Sequence, residues 1–139
     1  MQNRFRTLLL VSLVVAGGAL FSGGVVTAGQ ADVIAATATR SADGTYQFTA
    51  TVAHADSGWD HYANMWEVIG PDGAVLAERE LLHPHVNEQP FTRGLSGVKI
   101  PDDVHNVIIR ARDIVHGWGG AEVKLQLPME TGQKTSVSK

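Results

Sequence analysis

The stretch TYQFTATVAH (residues 45–54) decides the fold class, because apolar or small side chains alternate with polar ones along it. Tyr46, Phe48, Ala50 and Val52 fall on one face of an extended chain. A period of two residues is typical of a β-strand that buries one face. The stretch therefore predicts a half-buried strand.

The same alternation recurs on either side of this strand. Six further segments predict strands, and turn signals such as PDG at 71–73 separate them: DVIAATATR, YANMWEVIG, AVLAERELL, GLSGVKIP, NVIIRARDIV and AEVKLQL. No segment shows a helical period of useful length. About seven short strands in one small domain predict an all-β, antiparallel sandwich of the immunoglobulin or fibronectin type. Trp66, on the third strand, fits the position where such sandwiches bury a tryptophan.

The first 31 residues have the pattern of a secretory signal peptide. Arg4 and Arg6 precede the apolar run TLLLVSLVVAGGALF, and small residues in VVTAGQA follow it. We expect cleavage near Ala28 or Ala31; the alternative is a leader that stays as an anchor, although the run is short for a span of about 20 residues.

The rest of the chain divides into a domain and a tail. Residues 32–128 form the predicted sandwich, whereas METGQKTSVSK (129–139) is polar and without apolar spacing, which predicts disorder. With the leader removed, nine basic residues face 14 acidic ones, a net charge of −5. That balance argues against nucleic acid or an anionic membrane as a partner.

Composition also bears on the compartment. The chain has no cysteine, so a core rather than disulfides must hold the exported domain together. It also has no N-x-[ST] acceptor for glycosylation. We therefore expect a bacterial protein that is periplasmic or secreted, and not bound to the membrane once its signal peptide is cleaved.

Strand reversal predicts where the histidines lie. If consecutive strands run in opposite directions, the loops after the second, fourth and sixth strands share one end of the sandwich. Five of the six histidines belong to that end, and only His105 belongs to the other: His54, His61, His83, His85 and His116. Loops at one end of such a fold are where recognition sites are usually built.

These five histidines predict a transition-metal site. Pro84 favours an extended His83, which sets the Cα atoms of His83 and His85 about 6–7 Å apart with side chains on one side. His54 and His116 come from opposed sheets and can close a site with that pair. Imidazole-rich ligation without thiols suits copper or zinc. The alternative is that HPH only terminates a strand and carries two solvated histidines.

A recognition module is the competing hypothesis for the same end. It would bind an exported protein or a glycan through Trp59, Trp118 and Arg93, with polar side chains of the same loops nearby, namely Asp60, Glu88 and Asp113. His61 beside Asp60 would then be an oriented pair that fixes its loop. Convergent imidazoles favour metal binding, and a contiguous exposed tryptophan patch favours recognition.

Catalysis is not predicted. The sequence contains no G-x-S-x-G elbow and no cysteine nucleophile, and GWGG (117–120) lacks the lysine of a phosphate loop. We therefore expect a non-enzymatic protein.

Three stretches resemble a group of small exported bacterial immunoglobulin-like β-sandwich proteins of uncharacterised function: HADSGWDHYANMWEVIGPDG, LLHPHVNEQPFTRGLSGV and ARDIVHGWGG. The resemblance covers residues 46–127 and implies the fold and export, but no activity. The chain also resembles small periplasmic copper carriers in size, export and histidine content. Those carriers typically begin with a histidine, whereas this mature chain would begin at Gly29 or Asp32.

Overall fold

The computed structural model describes residues 29–128, which contain eight β-strands and no helix. The strands are β1 (Asp32–Arg40), β2 (Tyr46–Ala53), β3 (Ala63–Ile69), β4 (Val75–Glu80), β5 (Phe91–Val98), β6 (Asn106–Asp113), β7 (Gly117–Trp118) and β8 (Val123–Gln126). Most of the predicted signal peptide and the whole predicted tail lie outside the described residues. Nothing within 29–128 is a helix of the length and apolarity needed to cross a bilayer.

The strands form two antiparallel sheets. One sheet has the order β1-β2-β5. The other has the order β4-β3-β6-β7, and β8 also pairs with β6. The all-β prediction is confirmed in this form. The sequence predicted about seven strands, and the additional strand is the two-residue β7, because GW pairs with the end of β6 instead of remaining in a loop.

One core lies between the sheets. Phe48 and Val52 of β2 are fully buried in the same apolar cluster as Trp66 of β3 and Ile109 of β6. The apolar side chains of the alternating pattern therefore point into the core, as expected. Burying each such large side chain stabilises the fold by roughly 1.5–3 kcal/mol relative to leaving it exposed.

The chain that leads into β1 is also part of the folded domain. Ala31 is fully buried in the core. Val33, at the start of β1, donates a backbone hydrogen bond of 2.8 Å to the carbonyl of Ala121, which lies between β7 and β8. A side chain at Gly120 would collide with the Ala31 carbonyl. The GWGG stretch thus lets residues 29–31 pack closely against the end of the sandwich where β2 and β6 finish.

Candidate metal centre

His54 is the buried anchor of the centre and follows directly after β2. Its Nδ1 lies 2.5 Å from Oδ1 of Asp56, and neither side chain is exposed. The same carboxylate oxygen accepts the backbone N–H of Ala63 at 3.0 Å. Because a carboxylate only accepts, His54 donates from Nδ1 and presents Nε2 to the centre. This is the carboxylate–histidine arrangement that orients imidazole ligands in metal sites.

His61 reaches the same point from the loop between β2 and β3. A short antiparallel bridge between Gly58 and His61 closes this loop. The His54 and His61 rings lie edge to face with centroids 4.8 Å apart. Nε2 of His61 is 3.2 Å from Oδ1 of Asp113, and the His61 side chain is 26% exposed. His61 therefore lies on the solvent side of the centre, as does His116, whose side chain is 38% exposed.

Asp113 supplies the negative charge of the centre from the last position of β6. Burial raises the pKa of Asp113, but backbone hydrogen bonds from His116 and Val115 and the His116 ring outweigh it and hold this pKa below its ordinary value. These three bonds, of 2.8, 2.9 and 3.0 Å, all end on Oδ1. The other oxygen, Oδ2, is buried and has no hydrogen-bond partner among residues 29–128. An ionised, buried carboxylate with one unused oxygen suits a cation.

These groups converge on one point. His54, His61 and Asp113 each offer a ligand atom within 4.8 Å of the other two. The His116 ring centroid lies 5.0 Å from that of His61. Zinc, with bonds of about 2.0–2.2 Å, holds its ligands about 3.4 Å apart, so a modest contraction would complete the site. We call His54, His61, Asp113 and His116 the histidine–aspartate cluster.

Gly29 covers this cluster. Its carbonyl oxygen lies 3.1 Å from Nε2 of His54 and 3.3 Å from Nε2 of His61. A carbonyl only accepts hydrogen bonds, so each of these nitrogens must supply a proton to make them. Both ring nitrogens of His54 thus face oxygen atoms, Nδ1 that of Asp56 and Nε2 that of Gly29. The two Nε2 atoms therefore border a point that is also bordered by the oxygen atoms of Gly29 and Asp113.

The structure places His83 and His85 beside each other but outside this cluster. Their ring centroids are 4.5 Å apart, and Nδ1 of His83 hydrogen-bonds the Pro84 carbonyl at 3.0 Å. The His85 ring is buried and stacks on Phe91 at 3.9 Å. Among residues 29–128, no set of three ligand groups that includes either histidine converges. We call these two residues the His83–His85 pair.

The His83–His85 pair is nevertheless connected to the cluster through Asp56. The backbone N–H of His85 donates to Oδ2 of Asp56 at 2.7 Å, while Oδ1 of the same carboxylate holds His54. Gln89 adds a second link, because it accepts the His54 backbone N–H at 3.0 Å and donates to the His85 carbonyl at 3.1 Å. The loop that contains HPH thus helps to hold the buried His54 in place.

His85 itself is in an unfavourable place for charge. Neither ring nitrogen has a hydrogen-bond partner within the described part of the chain. Burial, followed by repulsion from Arg93 and His83, lowers the pKa of His85 below its ordinary value. The ring therefore behaves as a neutral aromatic group against Phe91.

The two predicted recognition tryptophans have different surroundings. Trp59 is 66% exposed and contacts Tyr62 edge to face. Trp118 lies on β7, where the guanidinium carbons of Arg110 and Arg112 are 4.5 and 5.5 Å from its ring centre. Arginines rather than solvent therefore cover much of the second tryptophan.

The remaining predicted residues lie on the surface of this end. Arg93 and Glu88 form an ion pair with hydrogen bonds of 2.9 and 3.2 Å, and Asp60 is exposed in its turn. Two contributors to the centre, Asp56 and Gly29, were not among the predicted site residues. The sequence signal for Asp56 is its i, i+2 spacing from His54; Gly29 lies between the two expected cleavage sites, near Ala28 and Ala31.

Two known proteins resemble parts of this chain. No family model matches the chain. A "Putative lipoprotein" of Halomicrobium mukohataei is 36% identical over 91 residues, which is 66% of this chain and 44% of that protein. The chain thus spans less than half the length of this relative. A variant of superoxide reductase (neelaredoxin) from Archaeoglobus fulgidus, in its reduced form, has a TM-score of 0.47 at 10% identity, over 71% of this chain and 90% of its own.

Proposed function

We propose that this domain binds a transition metal, copper(II) or zinc, at the histidine–aspartate cluster and serves as an exported, non-enzymatic metal carrier or buffer. The observation that carries the proposal is the meeting of His54, His61 and Asp113 within 4.8 Å. These residues come from the loop between β2 and β3 and from the end of β6, 59 positions apart from first to last, and two of them are buried. Imidazole and carboxylate donors without thiols suit zinc and copper(II).

The electrostatics support a cation at this point. Asp113 is held ionised by its hydrogen bonds, and Asp56 lies directly behind His54. The imidazole of His54 thus stands between one carboxylate and the centre. Carboxylates behind ligating histidines raise the basicity of the imidazole and fix its orientation.

Export is part of the proposal. The leader pattern supports a signal peptide, and the putative lipoprotein of H. mukohataei supports a protein that acts outside the cytoplasm. We further propose that the two sheets form an immunoglobulin-like sandwich, related to the exported bacterial group named above, in a periplasmic or secreted location.

A role in protein recognition is the second candidate. Five large apolar side chains are exposed in the loops around the centre: Trp59, Leu82, Val86, Ile114 and Val115. Such side chains at one end favour a protein partner, which for a carrier would receive or deliver the ion.

Titration of the purified exported protein with zinc and with copper(II), by calorimetry and by competition with a chelator, tests the proposal. We expect one ion per chain at micromolar affinity or tighter. His61→Ala should abolish this binding without unfolding the domain, because His61 is partly exposed on a loop. His105→Ala is the matched control, since His105 is exposed and far from the centre along β6. Absence of heat at micromolar metal, or equal loss in the two variants, would refute the proposal.

A further inference from the structure

Gly29 is placed as a ligand would be. Its carbonyl oxygen lies within hydrogen-bond distance of the two Nε2 atoms that face the centre, at 3.1 and 3.3 Å. The backbone nitrogen of a residue lies within about 3.6 Å of that residue's own carbonyl oxygen, as bond lengths require. The nitrogen of Gly29 is therefore also close to the centre.

The contact requires glycine at this position. A Cβ atom on Gly29 would collide with Cε1 of His116 and would lie 2.8 Å from its Nε2. The absence of a side chain at Gly29 thus lets the backbone pass close to the imidazole of His116.

The sequence before Gly29 indicates why the backbone is there. Val26 and Ala28 stand three and one residues before the Ala28–Gly29 bond, the small-residue pattern at which signal peptides are removed. Cleavage at the alternative position, after Ala31, would remove a fully buried core residue together with the oxygen that contacts His54. The folded structure therefore favours cleavage after Ala28.

We infer that signal-peptide removal creates a metal ligand. A signal peptidase would add water across the Ala28–Gly29 bond, leaving a carboxylate on Ala28 and a free amine on Gly29. The amine and the carbonyl oxygen of Gly29 then bind one ion in a five-membered chelate, beside His54, His61 and Asp113. This inference rests on the proposed function.

The inference has a consequence for when the protein loads metal. Before cleavage the nitrogen of Gly29 is an amide, whose lone pair is delocalised into the carbonyl and is a poor donor. The uncleaved precursor therefore has a weaker site than the mature protein. Loading would follow export, which would keep the precursor from removing metal in the cytoplasm.

The first test is the N-terminus and its effect on affinity. The full chain is expressed with its own leader, and the exported product is analysed by intact mass and N-terminal sequencing; Gly29 should be the first residue. A variant with one threonine inserted between Ala28 and Gly29 converts the Gly29 amine into an amide. We expect its affinity for copper(II) to fall by more than the roughly 10–100-fold that follows when a group hydrogen-bonded to a metal ligand is lost.

The second test identifies the nitrogen directly and does not depend on any variant. Copper(II) is bound to exported protein labelled with ¹⁵N-glycine, and the nitrogen hyperfine pattern is measured by electron paramagnetic resonance. A hyperfine pattern that differs from that of unlabelled protein supports the inference, and an identical pattern overturns it. A first residue other than Gly29 also overturns it. If wild-type protein binds copper and His61→Ala does not, but label and insertion have no effect, this inference alone fails. If wild-type protein binds no metal, the proposed function fails.

Discussion

The two groups of histidines at this end of the domain differ in what their ring nitrogens face. In the histidine–aspartate cluster, the imidazoles of His54, His61 and His116 face carboxylate or carbonyl oxygens at 2.5–3.3 Å. In the His83–His85 pair, the buried ring faces Phe91 and has no hydrogen-bond partner among residues 29–128. The cluster is built from distant parts of the chain, whereas the pair is separated by one proline.

The difference shows that closeness in sequence is a poor guide to which imidazoles converge with oxygen donors. Two imidazoles at i, i+2 share a side of an extended chain, but nothing in that spacing supplies the oxygens that orient them. Asp56 and Asp113 provide that orientation in the cluster, each through several hydrogen bonds. Carboxylates behind imidazoles orient histidine ligands in metal sites, and the cluster has this arrangement at His54.

The largest expected effect is on zinc affinity, when the histidines of the cluster and those of the His83–His85 pair are replaced in separate double variants. His54→Gln with His61→Gln removes two of three converging ligands. Structural zinc sites bind with about 10–16 kcal/mol from four ligands, so two ligands contribute about 5 kcal/mol or more, a loss above a thousandfold. His83→Gln with His85→Gln should change the affinity for zinc by less than tenfold. Competition titration measures the zinc affinities of the two double variants, and thermal unfolding checks that each variant is folded.

The reverse ranking, with the second double variant losing more zinc affinity than the first, would place the metal at the His83–His85 pair. That outcome would restore the pincer predicted from HPH.

The fold was largely predictable because strand burial is a local property. The alternation of Phe48, Ala50 and Val52 with polar neighbours specifies both extended structure and an inward face, and all three are fully buried. Strand reversal also suffices to bring the loops of His54 and His116 to one end. The short β7 was not predictable, since two residues carry no period.

The composition of the centre was less predictable, because ring orientation depends on long-range partners. His85 turns onto Phe91, and no pattern within HPH indicates that stacking. Asp56 takes its second role from the backbone of His85, 29 residues away. Gly29 was hidden by the composition of the leader, which continues without a break into the folded chain.

A smaller effect is expected from Asp56→Asn, which breaks the connection between the two groups. The two carboxylate oxygens of Asp56 accept three hydrogen bonds, from His54, Ala63 and His85. An asparagine offers only one acceptor oxygen for them. We expect metal affinity to fall by about 10–100-fold and stability by about 1–3 kcal/mol. Metal competition and urea unfolding measure these two changes. Asp60→Asn, on an exposed turn of the same loop, should leave both unchanged; a matching loss there would show that loop charge, not orientation, matters.

The smallest effect concerns stability alone and tests whether His85 acts as an aromatic group. His85→Phe keeps the stack on Phe91 and removes two buried nitrogens without partners, so we expect a gain of about 1 kcal/mol at pH 7. His83→Phe, at an exposed ring, should give no such gain. A loss of stability in His85→Phe would mean that the nitrogens of His85 are satisfied in solution, and the contrast between the two groups would fail.

The pH dependence of the same variant gives a second check. Because burial and Arg93 lower the folded-state pKa of His85 below 6.5, the unfolded chain binds more protons in the window between that lowered value and about pH 7. Stability from this residue is therefore complete above the unfolded pKa and declines as pH falls. The groups facing His85 are Asp56, His83, Glu88 and Arg93. Urea unfolding of the metal-free protein measures the free energy of unfolding at pH 7 and pH 5, and its decline should be smaller in His85→Phe than in wild type. An equal decline would mean that His85 takes up its proton as readily when folded as when unfolded.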